Sequence, residues 1–163
     1  MMPSNLLHVS FSVLLLSACA TTTVTQMARN QIMLSTSAAP ACGVSGAQLV
    51  ATRMAAVETI RHGFSRFVIN GVQAQNNVQV IERPFTGAYT TSTYNGYGNS
   101  IYGQSQTQFT GGGVMYFGSN DSELFVTMLN PGDAGYLDGV DAQSTLGPKW
   151  QKFVQDGIST CTG

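Results

Sequence analysis

Three cysteines, two histidines and a thin set of carboxylates are the residues that could do chemistry in this chain. Cys19, Cys42 and Cys161 stand far apart, so there is no Cys-x-x-Cys redox pair and no spaced zinc ligand set. With only His8 and His62, a His-based triad or a multi-His metal site has little to draw on. His62 reads as a helix-end residue. Asp133, Asp138 and Asp141 form a small acidic cluster, but calcium needs more oxygen ligands at loop-like spacing, and these residues read as caps and solvated turns. Gly111-Gly112-Gly113 is followed by no Lys-Ser or Lys-Thr, so it is not a phosphate-cradling loop. Glu58 and Glu82 have no partner nearby in sequence. Only acids converging in space would give the paired carboxylates of a glycoside hydrolase. These residues lead us to expect no metal, no cofactor and no catalytic residue.

Cys19 has the most informative surroundings. It closes Leu16-Ser17-Ala18-Cys19, directly after the apolar run Val13-Leu14-Leu15-Leu16. The apolar segment from Leu6 to Ala18 is shorter than the roughly 20 residues a membrane-spanning helix needs, and reads as a cleavable leader. It resembles a bacterial lipoprotein signal. In that family the cysteine thiol receives a diacylglyceryl group and a peptidase cleaves just before it. The resemblance implies Cys19 as the lipidation site and the membrane as a partner through the N-terminal lipid. Ala20 stands where an Asp would favour inner-membrane retention, which implies the outer membrane, facing the periplasm. The alternative is an ordinary secretory signal with a chance cysteine.

The rest of the composition fits export. Charged residues make up 9% of the chain and nearly balance at a net charge of −1, so no basic patch points to nucleic acid. If Cys19 carries lipid, Cys42 and Cys161 remain. An oxidising compartment favours joining them in a disulfide; two buried thiols are the other reading.

The expected organisation is a leader (1–18), a flexible Thr-rich tether (19–29) and one α+β domain (30–163). A first short strand is expected at Asn30–Ser35. The best-specified element is a helix from Gly46 to His62, with Ser45 and Gln48 at capping-box spacing. Val50, Met54, Val57, Ile60 and Phe64 form its apolar stripe, and Gly63 its left-handed cap. A strand then runs from Phe64 to Gln75 with a bulge at Gly71. A return strand spans Val78–Arg83 and stops at Pro84. Residues 86–113 carry no charge and interleave Tyr89, Tyr94, Tyr97 and Tyr102 with glycines. Too poor in apolar area to offset ordering entropy, they read as a mobile loop. The sharper reading is a tyrosine contact surface for a glycan or an envelope protein. Val114–Phe117 and Glu123–Leu129 read as a hairpin, Asp133–Ala142 as a short helix, and Pro148–Cys161 as a final helix. The fold expected is an antiparallel sheet of about four to five strands packed on one long helix, with a C-terminal helix.

Cys19-Ala20-Thr21, Ala55-Ala56-Val57-Glu58-Thr59 and Gly63-Phe64-Ser65-Arg66-Phe67 also resemble small proteobacterial outer-membrane lipoproteins of unknown function. Those pair such a start with an Ala-rich helix and a Gly-aromatic-x-x-Phe strand, and offer no catalytic residue to carry over. The expectation is a non-enzymatic, periplasm-facing lipoprotein, structural or accessory to an envelope assembly. The alternatives are a glycan or small-ligand binder using the Tyr-rich loop, and a periplasmic hydrolase with dispersed carboxylates.

Overall fold

A computed structural model describes residues 19–98 and 100–161; the expected leader over residues 1–18 lies outside the described residues. The chain is α+β, with a five-stranded sheet, a separate two-stranded ribbon, one long helix and short C-terminal helices. The sheet contains β1 (Ala20–Ala28), β2 (Gln31–Ala38), β6 (Asn120–Leu129), β3 (Arg66–Asn76) and β7 (Val140–Asp141), in that spatial order, with every pair antiparallel. The ribbon pairs β4 (Gln79–Tyr97) with β5 (Ser100–Phe117).

One face of the sheet is apolar because the side chains alternate. Ile32, Leu34 and Ala38 of β2 and Leu124, Val126 and Met128 of β6 are buried under α1 (Gly43–Arg61), while the intervening residues face outward. On β3 the register shifts between Ile69 and Gly71, so the strand carries the expected bulge, with Asn70 and not Gly71 as its extra residue. The shift keeps Phe67 fully buried and turns Gln73 and Gln75 to the outer face, opposite Glu123 and Asp121.

The expected stripe of α1 packs as read: Val50, Met54 and Val57 are buried, with Ile60 and Phe64 half-buried against the same core. The alanines have a second role. α1 lies between the sheet and two short helices, α2 (Ala142–Leu146) and α3 (Trp150–Asp156), so it is buried on two sides. Ala47, Ala51, Ala55 and Ala56 let those layers approach. α1 begins earlier than its capping-box spacing suggests. Pro40–Cys42 forms a 3₁₀ turn that feeds into Gly43, with Cys42 as N-cap and no side-chain cap. Its C-terminus is as expected, with Gly63 at φ +79° donating its N–H to the Ile60 carbonyl at 2.9 Å. Arg61 also reaches the end of α3, where Nε donates to the Val154 carbonyl at 2.8 Å.

Several expectations are corrected. The tether is a strand: Thr21 to Thr25 pair with Ser37 to Met33, and Ala20 is 4% exposed. Threonine is a good strand former, and one face of β1 meets the core. The stretch 86–113 is not a loop but most of the ribbon. Pro84 does not end β4, because it sits outside the ladder between the pairs Arg83–Gly113 and Phe85–Gly111. Val114–Phe117 and Glu123–Leu129 do not pair. The former lies in β5 against β4, the latter in β6 against β2 and β3. Asp133–Ala142 breaks into a 3₁₀ turn at Tyr136–Asp138, then β7 and α2, because Gly135 and Gly139 interrupt it. The last helix stops at Asp156, since Gly157 turns the chain at φ +76°.

Candidate functional site

The residues with expected roles gather at one end of the sheet. Cys42 and Cys161 are joined, with an Sγ–Sγ distance of 2.07 Å and Cα atoms 5.7 Å apart. The bridge ties the start of α1 to the segment after α3, and that segment runs along the start of β1. Ala20 donates to the Ser159 carbonyl at 2.8 Å, and Cys19 bridges to Thr160. The Cys19 carbonyl accepts from Ala39 at 3.1 Å, and the residue is exposed. Cys19 is therefore held by the fold at the sheet boundary, with no slack chain between it and the domain.

The ribbon leaves the sheet at this same end. Ala20 pairs with Ala38, Ala38 with Asn120, and Asn120 with Asn76, making one transverse row across four strands. β4 begins three residues after Asn76, and β5 ends three residues before Asn120. Three strand spacings of about 4.8 Å put the base of the ribbon roughly 14 Å from the start of β1. The junction is pinned. Asn77 donates to the Ser119 carbonyl at 2.9 Å, and its side chain to Asp121 Oδ2 at 2.6 Å. Hydrogen bonds from the Ser37 hydroxyl, then Ser119 and Asn77, hold the Asp121 carboxyl below the usual carboxylate range. At Gly118, φ is +96° and a Cβ would fall 2.2 Å from the Asn77 carbonyl oxygen, so only glycine fits.

Beyond that junction the ribbon stands clear of the core; among the described residues none of the buried cluster comes from it. Its large side chains are exposed, including Phe85, Phe109 and Tyr116, with Tyr89 at 69%, Tyr94 at 70% and Tyr102 at 68%. The side chain of Tyr97 lies outside the described part of the structure. A register shift between Phe85 and Gly87 makes Thr86 an extra residue, so side-chain parity reverses there. From the ladder, Ala88, Thr90, Ser92 and Tyr94 share one face with Gly103, Ser105, Thr107 and Phe109. Contacts on that face agree: Phe85 and Phe109 ring centroids lie 5.4 Å apart, and Thr90–Thr107 and Ser92–Ser105 hydroxyls pair at 2.9 and 2.8 Å. The Tyr94 ring covers Gly103, where a Cβ would fall 2.8 Å from it. The opposite face carries Tyr89, Thr91, Thr93 and Asn95 with Tyr102, Gln104, Gln106 and Gln108. The expected tyrosine surface is thus divided. Tyr94 points one way, Tyr89 and Tyr102 the other.

Among the described residues no catalytic arrangement stands out. Glu58 pairs with Arg61 at 2.7 Å, and His62 Nδ1 lies 2.8 Å from the Glu58 carbonyl, at the helix end where it was expected. Asp141 caps α2 by accepting from the Ser144 N–H at 2.8 Å, which holds its carboxyl below the usual range. Among the described residues no three His, Cys, Asp or Glu gather as metal ligands. A carboxylate pair that sequence reading missed is Asp121 and Glu123, two apart on β6, bordered by Ser35, Gln73 and Gln75. Only the bulge at Asn70 brings those glutamines to that face. The depression they line holds about 160 Å³, small beside the roughly 300–1,000 Å³ of ligand sites. Among the described residues no helix is long and apolar enough to cross a membrane, which says nothing of strands. No protein-family model, no characterised protein and no solved structure matches the chain.

Proposed function

We propose that this protein is a non-enzymatic, lipid-anchored lipoprotein of the bacterial outer membrane. It faces the periplasm and serves an envelope assembly through its ribbon. The observation that carries the reading is a juxtaposition: exposed Cys19 and the base of a charge-poor ribbon lie at one end of one sheet. An acyl chain on Cys19 would hold that end against the bilayer and aim the ribbon at it. The disulfide suits the same oxidising compartment. The divided tyrosines remove support from a glycan platform, which needs rings on one concave surface. The small volume beside Asp121 and Glu123 removes support from a hydrolase. The test is intact mass of the chain extracted from bacterial membranes. The expected species begins at Cys19 and carries a diacylglyceryl group and an amide-linked acyl chain. A chain cleaved elsewhere, or an unmodified Cys19 thiol, ends the reading.

A further inference from the structure

The ribbon is an unusual object to leave in water. A two-stranded ribbon without a third layer is marginally stable, yet this one runs from Gln79 to Phe117 with both faces exposed. Its only charges, Glu82 and Arg83, lie at the base; from Pro84 to Asn120 there is no Asp, Glu, Lys, Arg or His. Soluble proteins guard open strand edges with lysine, proline or bulges. Beyond the bulge at Thr86, the paired segments Ala88–Tyr97 and Ser100–Phe109 have none of these.

We propose that copies of this chain pair edge to edge through their ribbons and close a β-barrel across a lipid bilayer. For its membrane the proposal rests on the envelope reading above; for its assembly it does not. Length fits first. Ten residues at about 3.3 Å each, tilted by about 40°, rise about 25 Å, the apolar height of an outer-membrane barrel. The faces fit next. On one, a single hydrogen bond joins the hydroxyls of Thr90 and Thr107, and another those of Ser92 and Ser105, flanked by Ala88, Phe109 and Tyr94. With its hydroxyls turned to each other and no amide among them, that face is the one assigned to lipid. The other presents the amides of Gln104, Gln106, Gln108 and Asn95, which suit a water-filled interior. On the hydroxyl face aromatic residues bracket the band, with Phe85 and Phe109 towards the sheet and Tyr94 towards the tip, while Tyr89 and Tyr102 lie on the amide face.

Edge chemistry selects the partner. In lipid every backbone N–H and C=O must be paired, so a lone ribbon cannot span. Each copy offers one β4 edge and one β5 edge of equal length. The β5 edge of one copy laid against the β4 edge of the next is again antiparallel. Identical copies therefore satisfy both edges by a head-to-tail contact that closes into a ring with an even number of strands. A single foreign strand would satisfy only one.

The experiment uses the full chain, made with its own leader in a Gram-negative envelope and extracted in mild detergent. Light scattering gives the copy number, and planar bilayers give conductance. Two neighbouring substitutions then read the faces: Gln106→Lys on the amide face and Ser105→Lys on the hydroxyl face. The expected result is a multi-copy particle that conducts. Gln106→Lys should insert normally and shift ion selectivity towards anions. Ser105→Lys should give at least tenfold fewer conducting insertions, with unchanged melting of the sheet domain. A monomeric extract, a stoichiometric complex with a foreign envelope protein, absence of conductance, or equal responses at 105 and 106 would overturn the proposal. If Cys19 proves unmodified while conductance and the alternation hold, the lipoprotein reading falls and the barrel stands. Lipid on Cys19 with a monomeric chain gives the converse.

Discussion

Removing the bridge with Cys42→Ser and Cys161→Ser together should cost about a third or more of the chain's margin of stability. The two cysteines are 119 residues apart. Closing a loop of that length removes about 5 kcal/mol of unfolded-state freedom in chain-entropy terms, against a typical total of about 5–15 kcal/mol. The bridge also presses on its surroundings. A Cβ added at Gly46 would meet Cys42 Cβ at 3.0 Å and Cys161 Cβ at 3.2 Å. With the bridge intact, Gly46→Ala should destabilise by about 1–3 kcal/mol, the usual cost of overpacking. Without it, the residues around 161 can yield, and alanine's helix preference of about 0.5–1 kcal/mol should emerge. The coupling between the two changes is then at least about 1 kcal/mol. Urea unfolding followed by the single tryptophan, Trp150, half-buried in α3 against the core, reports all four variants. The urea slope should also rise without the bridge, because the unfolded chain expands. A loss below about 1 kcal/mol, or the same Gly46→Ala effect with and without the bridge, would refute the reasoning.

Other outcomes follow from the same packing. Deleting residues 90–110 removes, among the described residues, no buried core side chain, so the melting temperature should stay within about 3 °C, the span of roughly 1 kcal/mol in a domain of this size; calorimetry checks it. Phe67→Ala empties a fully buried position and should cost about 3–5 kcal/mol in chemical denaturation. Asp141→Ala removes the α2 cap and should cost about 1 kcal/mol. Asp121 and Asp141 both hold their protons less firmly folded than unfolded. Their stabilisation is therefore complete above the ordinary carboxylate range and is lost as pH falls through the depressed folded values. Melting temperature should start to fall below about pH 4, and less steeply in Asp121→Asn with Asp141→Asn. An acid limb of the same slope in that double variant would show that other groups govern it.

The sheet domain was legible where one periodicity ran unbroken. The stripe Val50, Met54 and Val57 repeats at helical spacing, and β6 is β-prone from Glu123 to Leu129; its first residues, Asn120 to Ser122, are polar on both faces and do not read as strand. Even the β3 bulge left a mark, because Asn70-Gly71 interrupts a good strand. β1 was hidden for a different reason. Its inward residues, Ala20, Thr22 and Val24, differ little in polarity from its outward threonines, so hydrophobic contrast is faint although threonine itself favours strand. The expected leader ahead of it also suggests a tether, which is a statement about neighbours and not about these residues.

The ribbon failed to show for two physical reasons, and both bear on its role. A test that asks whether a segment buries enough apolar area in its own chain returns "loop" for any strand whose partners lie in another copy or in lipid. The alternation is also split in phase. The bulge at Thr86 reverses parity, so Phe85 shares a face with Ala88 and Phe109, although an unbroken strand would place it with Tyr89. Read across the bulge, the two faces mix; read from Ala88 onward, the amides of Asn95, Gln104, Gln106 and Gln108 all fall on one face, with Thr91 and Thr93 beside them. Charge is excluded over the same stretch, and the edges are left unguarded over the same ten-residue span. A mobile loop has no need of any of these three features. Their coincidence in one segment, at the end of the sheet where Cys19 lies, is what the proposed membrane role accounts for and a mobile loop does not.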